Sequence, residues 1–369
     1  MNTQTKPADI YLGYSEDARQ LAYDLMASAN IKEKISQKMQ ASPKGFVACI
    51  KPNLVVSRPA DGGATTHPEI VAGIIEYLQD AGMKDIIIAE GSWVGDSTQR
   101  AFNNCGYTDL SRKYGVKLVD LKSDSTIKVS AHGINFDVCE TAQKADYLIN
   151  VPVMKGHCQT DMTCCLKNLK GCIPDSEKRR FHTIGLHKPI AALASALKPD
   201  LHIVDSICGD LSFEEGGNPV TSNRILLGFD GLLVDSYCAG LMGYSPDEID
   251  HLRHAKQFGV GDYVHSGTEI VELYPERRPK SVPQPSRQAK RLGERVDEDG
   301  ACSACYAALI FALHKNGGYP RRDKIKIGQG WQGKSLDGVG VGNCAGGCTK
   351  HIPGCPPRAV DIAQFLREV

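Results

Sequence analysis

FVACIKPNLVVSRPADGGATTHPEIVAGIIEYLQDAGMKDIIIAEGS, residues 46–92, decides the architecture. Its first part, FVACIKPNLVV (46–56), is a near-continuous apolar run ending in a polar loop, as a strand covered on both faces would be. HPEIVAGIIEYLQDAGM (67–83) switches to a 3.6-residue period, with Pro68 where a first helical turn tolerates proline. KDIIIAEGS (84–92) returns to a buried strand. Two strands joined through a helix are expected to run parallel, because a parallel pair needs such a crossover.

The alternation continues outward. Residues 15–40 are predicted to form one amphipathic helix with Leu21, Leu25 and Met26 on its apolar face. TQRAFNNCGY leads into a helix, KLVDL is a short strand, and ADYLINVPV (145–153) is a buried one. A helix is expected across 160–171 and another at PIAALASALKPD. LHIVDSICGD (201–210) is a strand, ILLGFDGLLVDSYCAGLMGY a strand and then a helix, and SPDEIDHLRHAKQFG a helix behind a capping serine. The fold expected over 1–273 is therefore α/β, a mostly parallel sheet flanked by helices. Residues 274–300, rich in proline and charge, read as a linker. Residues 301–369 form a small C-terminal segment packed on the sheet, with a helix at 302–316, a strand at 324–328, a cysteine loop and a last helix from Pro356.

With 43 basic and 43 acidic side chains the chain lacks the basic excess of a nucleic-acid binder. No apolar run is long enough to span a bilayer, and MNTQTKPADIYLGYSEDARQ lacks the layout of a signal peptide, so a cytoplasmic location is expected. The chain has 14 cysteines. In a reducing compartment these point to metal binding or catalysis rather than to a disulfide framework.

Five of the cysteines crowd the C-terminus. Cys302 and Cys305 form C-x2-C at the start of a predicted helix, and Cys344, Cys348 and Cys355 follow as C-x3-C-x6-C-P-P. Structural zinc favours two similar knuckles, which the second half is not. Thiolates, a cysteine followed by proline, and glycines that admit backbone N–H groups near sulfur suit a 4Fe–4S cluster. Cys302, Cys305, Cys344 and Cys355 are the expected ligands and Cys348 the spare. Zinc and plain buried thiols are the competing readings.

VPVMKGHCQTDMTCCLKNLKGCIPDSEKRRFHTIGLHKP (151–189) is the second distinctive stretch. Lys155, His157, Lys167, Asn168 and His182 are the candidate catalytic residues, since lysine and histidine act as general acids or bases once burial shifts them. Lys51, Asn53, Lys170 and Asp205, at strand ends or nearby, are the candidate substrate-binding residues for a small anion. Cys158, Cys164, Cys165 and Cys172 match no cluster pattern and read as small apolar packing residues. Asp235 reads equally well as a helix cap or a cation ligand. GQGWQGKS (328–335) carries the G-x-G-x-x-G and G-x-x-x-x-G-K-S spacings, but no helix is expected directly after it, so it does not support a nucleotide-binding loop.

These landmarks resemble known families. The C-x2-C, G-x-C and GCPPR elements of the last 70 or so residues are similar to the cluster-binding part of complex I and nickel–iron hydrogenase small subunits, which implies a cubane cluster. The first pair departs from complex I, where the two cysteines are adjacent. IKPNLV (50–55), TTHPEIV (65–71), IAEGS (88–92), LINVPVMKGH (148–157), LKNLKG (166–171), IVDSICG (203–209) and LVDSYCAGLMGY (233–244) resemble the domain of unknown function 362 family, which implies no particular activity. EEGGNP (214–219) departs from that family's E-G-x-G-P. LKNLKGCIPDSEKRRFH is similar to a stretch of nickel-pincer lactate racemases; there Lys170 or Lys167 would match the lysine that bears the cofactor, and His182 a metal or substrate histidine.

The reading that follows is a cytoplasmic 4Fe–4S oxidoreductase acting on a small anionic substrate, with a redox partner protein as its electron source or sink. The alternatives are an electron carrier without its own substrate and a racemase-like isomerase. No nucleic acid or membrane is expected as a partner, and a homodimer stays open.

Overall fold

The computed structural model describes residues 8–41, 45–283 and 288–369. Its large sheet has eight strands. In spatial order they are Ile270–Leu273, Ile10–Tyr14, Pro219–Gly228, Leu201–Asp210, Tyr147–Val151, Val47–Pro52, Asp85–Glu90 and Lys117–Asp120. Every pairing is parallel except the two made by Pro219–Gly228, which runs against both neighbours. The sheet is thus α/β and mostly parallel.

Alternation along the strands divides two cores. Tyr11, Ala48, Ile50, Ile225 and Leu227 face a layer built on the helices Ala18–Ser28 and Pro68–Asp80. Ile10, Leu12, Cys49, Leu148 and Leu226 face the opposite layer, which holds the helices His187–Ala196, Gly231–Leu241 and Asp250–Gln257. Both faces are covered, which is why the strands read as continuous apolar runs.

Several local expectations change. The helix predicted over 15–40 is two helices, Ala18–Ser28 and Ile31–Ala41, broken where Asn30 takes a left-handed conformation (φ 50°). The helix expected across 160–171 opens instead as a strand, Asp161–Thr163, paired antiparallel with Lys155–His157. Only Cys165–Asn168 is α-helical there, and Leu169–Cys172 continues as a 3-10 turn.

The segment expected as a linker over 274–300 contains structure. Its residues 284–287 lie outside the described residues. Gln288–Gly293 is a helix, and Val296–Glu298 is the first strand of a second, all-parallel sheet completed by Ile325–Ile327, Leu336–Val341 and Cys348–Ile352. Val296–Glu298 is three residues long, too short a run for periodicity to show, whereas Ile325–Ile327 falls within the strand expected at 324–328. The helices Ser303–Lys315 and Ala359–Glu368 cover this sheet through Leu309, Leu313, Ile362 and Leu366. Phe213, from the larger unit, enters the same core and meets Phe311 edge-on at 6.2 Å between ring centroids. Among the described residues no helix is long and apolar enough to cross a membrane.

Candidate functional site: a lysine-lined cavity against a cysteine cluster

A cavity of about 100 Å³ opens at the carboxyl ends of the parallel strands. One water needs roughly 10–15 Å³ of such space, so several waters or one small organic anion fit. Asn53 follows the strand Val47–Pro52, Glu90 ends the strand Asp85–Glu90, and Lys155 and His157 lie just beyond Tyr147–Val151. Thr163, Lys167, Asn168 and Lys170 arrive on the short elements after them, Lys178 and His182 on the helix Asp175–Thr183, and Glu214 after the strand Leu201–Asp210. The last wall is Cys302, Ser303 and Ala304 from the C-terminal unit.

The floor is a buried polar network. Lys51 Nζ donates to Glu90 Oε2 (2.9 Å) and Oε1 (3.0 Å), to the Pro52 carbonyl (2.9 Å) and to Asn168 Oδ1 (3.3 Å). Glu90 also accepts from the Leu54 N–H (3.0 Å) and the Gly91 N–H (2.7 Å). Lys51 therefore lies beneath the cavity lining and is fully paired, a scaffold for Asn168 rather than a free ligand for an anion. Gly171 seals this floor: a Cβ there would lie 2.2 Å from Glu90 Oε1 and 2.6 Å from Lys51 Nζ.

The lysines facing the cavity are different. Lys155 donates to the carbonyls of Ala64 and Glu214, and its third proton points toward Asn53 Oδ1 at 3.5 Å. Burial, reinforced by Lys167, brings its pKa down to about 7 against the pull of Glu214 and Asp210. Lys167 forms no hydrogen bond or ion pair among the described residues, and burial lowers its pKa to about 8. Burial, with Lys167 and Lys178 nearby, holds Lys170 well below the usual lysine range.

His157 and His182 are both held well below the usual histidine range, first by burial and then by these lysines. Neutral His157 accepts the Gln159 N–H at Nδ1 (3.1 Å), so Nε2 carries the proton and faces Glu214 Oε1 at 3.5 Å. Glu214 Oε2 accepts from the Cys158 N–H (3.1 Å), while Oε1 has no hydrogen-bond partner. His182 Nε2 lies 3.2 Å from Lys170 Nζ and 3.3 Å from Ser303 Oγ.

The predicted cluster residues converge. Cys302 precedes the helix Ser303–Lys315 and Cys305 sits in its first turn, at the positive end of the helix dipole. Asn343 clips the far loop shut: its N–H donates to the Gly354 carbonyl (3.0 Å) and its Oδ1 accepts the Gly354 N–H (2.7 Å). That clip brings Cys344 beside Cys355. A Cβ on Gly342 would lie 3.9 Å from Cys305 Sγ, which places the loop against the first pair. Burial and then Cys344 and Cys355 raise the Cys302 thiol, with Arg179 and Lys170 opposing. Cys305 is pushed up to about 12 by burial and then by Cys302, Cys355 and Cys344. Cys348 stands apart, buried against Gly340, and the one charge acting on it is Lys326. Gln329 Nε2 reaches Cys302 Sγ at 3.6 Å, and Gln159 holds Ala301 and Ser303, so Cys302 is fixed on the cavity wall.

Of the sequence candidates, Asn53, Lys155, His157, Lys167, Asn168, Lys170 and His182 share this cavity. Asp205 does not. Its Oδ2 accepts the His67 N–H (2.8 Å) and contacts His67 Nδ1 (2.8 Å), and its Oδ1 accepts the Ile207 N–H (3.0 Å), so it anchors the start of the helix Pro68–Asp80. Glu214, Lys178 and Ser303 were missed as site residues. Glu214 lies in the very segment, EEGGNP, that departs from the family pattern, and Ser303 follows a candidate ligand.

A family model described as a domain of unknown function (DUF362) matches residues 49–240, more than half of the chain. The chain belongs to this family. All the cavity residues except Cys302, Ser303 and Ala304 fall within the matched span. A thylakoid-associated protein of Synechocystis sp. is 28% identical over 250 residues, covering 66% of this chain and 67% of that relative. Among solved structures, the lactate racemase apoprotein of Thermoanaerobacterium thermosaccharolyticum is similar with a TM-score of 0.39 and 11% identity over 91% of this chain and 70% of that one. A Thermotoga maritima protein is similar with a TM-score of 0.36 and 12% identity over 66% and 60%. At such scores neither likeness says anything of chemistry.

Proposed function

We propose that this protein holds a 4Fe–4S cluster on Cys302, Cys305, Cys344 and Cys355 and uses it to oxidise or reduce a small anion in the adjacent cavity. The observation that carries the reading is that Cys302 is at once a member of the cysteine cluster and part of the lysine-lined wall. The donor set fits the group: four thiols, one helix N-terminus and a glycine-rich loop, with the odd cysteine Cys348 kept away. When bound, such a cluster supplies or accepts one electron at a time.

The chain's own residues do the rest. Lys167, without a partner of its own, and Lys155, whose third proton has only the long 3.5 Å contact to Asn53 Oδ1, attract the anion and fix it. Neutral His157 keeps its Nε2 proton near Glu214, so the pair can take up or release a proton as the charge on the substrate changes. Cys355, the exposed member of the cluster, faces the side where a redox partner protein would exchange electrons. Fourteen cysteines, none in a disulfide, suit a reducing compartment such as the cytoplasm.

A carrier without a substrate would have no use for a buried Lys155 and half-buried Lys167 and Lys170 around a cavity, which disfavours that alternative. A racemase-like isomerase draws on one contact, Lys170 Nζ beside His182 Nε2 at 3.2 Å, the pair that the resemblance to nickel-pincer enzymes singles out. The readings separate on anaerobically purified protein. Small carboxylates and sulfate should perturb the electron paramagnetic resonance of the reduced cluster in the wild type and not in Lys167→Ala. A spectrum unmoved by every anion that binds would end the oxidoreductase reading, and stoichiometric nickel without iron would favour the isomerase.

A further inference from the structure

A second group of sulfur ligands lies on the opposite side of the short helix Cys165–Asn168, and the proposed function makes no use of it. Cys164 Sγ and Cys165 Sγ are 4.0 Å apart. Both, together with a carboxylate oxygen of Asp235, lie within 4.8 Å of one another. The thiol of Cys238, one helical turn beyond Asp235 on the helix Gly231–Leu241, adjoins Cys164 but stands outside the set of three that lie within 4.8 Å of one another. All four side chains are completely buried.

Two features of this group suit a metal site. The first is spacing. A tetrahedron with zinc–sulfur bonds of about 2.3 Å has sulfur–sulfur edges of about 3.8 Å, close to the separation of Cys164 and Cys165. The second is charge. Asp235 is buried with no salt-bridge partner among the described residues. It accepts the N–H groups of Cys165 (2.6 Å, Oδ1) and Leu166 (3.0 Å, Oδ2), and the thiols of Cys164 and Cys165 also hydrogen-bond to it, contacts that a metal ion replacing the thiol protons would take over. A buried carboxylate without a cation is costly, and a divalent ion beside it supplies the missing charge.

We infer that Cys164, Cys165, Cys238 and Asp235 form a closed, structural site for zinc or a similar borderline-soft divalent ion. With the Cys238 thiol turned in as the fourth ligand, three thiolates and one carboxylate complete a tetrahedron with no open position, so the ion serves structure and not chemistry. It enters as the chain folds, since the finished site has no opening to solvent. Its effect is to tie the helix Cys165–Asn168, which carries Lys167 and Asn168 into the cavity, to the helix Gly231–Leu241.

The test counts zinc and iron separately on the full chain. In a Cys302→Ala/Cys355→Ala variant, which cannot assemble the cubane, about one zinc per chain should remain. Adding Cys164→Ser and Cys238→Ser should lower it at least about tenfold. Should those serine variants fail to fold, cobalt(II) supplied during refolding of the Cys302→Ala/Cys355→Ala chain decides: a thiolate-to-cobalt charge-transfer band is expected. A folded parent with no zinc, no cobalt band and three freely alkylated thiols on unfolding would overturn the inference, as would zinc that survives the serine changes. Loss of iron alone bears only on the cubane.

Discussion

The two cavity lysines that titrate near neutrality make anion binding strongly pH-dependent, and sulfate, doubly charged throughout, reads this out. Lys167 is lowered by burial to about 8, with no competing partner, and Lys155 to about 7. Between pH 6.5 and 9 the charged fraction of Lys167 falls about tenfold, and that of Lys155 falls roughly 80-fold. Sulfate held by Lys167 alone should bind about tenfold more weakly at pH 9, and several hundredfold more weakly if both ammonium groups contact it. The fold itself moves the other way. The folded pKa values lie below the ordinary lysine value of 10.5, so the unfolded chain binds more protons between about 7 and 10.5 and stability rises with pH across that window. Loss of binding therefore cannot come from unfolding. Titration calorimetry, or quenching of Trp93 at the cavity wall, measures the affinity. Lys167→Met should weaken sulfate at pH 6.5 and remove the step near pH 8. Affinity that stays flat from pH 6.5 to 9, or a Lys167→Met protein with the wild-type profile, would refute the reasoning.

Lys51→Met leaves Glu90 buried beside two N–H donors and without its cation, and should cost about 3–5 kcal/mol in urea unfolding, whereas Lys51→Met/Glu90→Gln should recover most of the loss. Asp205→Asn should destabilise by about 1–3 kcal/mol. Burial pulls His67 down but Asp205 outweighs it and holds the imidazole above 6.5, so the pair's contribution is full below that pH and fades as pH rises through the raised value; the variant should lose more at pH 6 than at pH 8. Cys348→Ala should keep the iron content and visible spectrum of the wild type, because its thiol faces Gly340 and Lys326 rather than the other four cysteines.

The central sheet was legible because its strands are buried on both faces and its helices carry a clean 3.6-residue period, as in residues 46–92. Ile10–Tyr14 escaped notice: IYLGY is five residues long and leads straight into a helix. The strands Val296–Glu298 and Leu336–Val341 were hidden by charge and by glycine, and their partners are set by tertiary pairing alone. At the site, polar residues just past apolar runs identified Asn53, Lys155 and His157. The same rule named Lys51 and Asp205, and it could not see that Glu90 and His67 had already claimed them. Glu214 reaches the cavity from a loop with no periodic signal, and only the fold brings it to His157. Likewise Cys164 and Cys165 read as packing until Asp235 and Cys238, some 70 residues on, came to lie against them.

The most direct measurement is the iron and acid-labile sulfide content of anaerobically purified protein, with the electron paramagnetic resonance of its reduced form. Four irons and four sulfides per chain are expected from Cys302, Cys305, Cys344 and Cys355, together with a reducible cubane signal lost in Cys302→Ala and Cys355→Ala. A colourless protein, or one whose cluster survives both substitutions, would contradict the account.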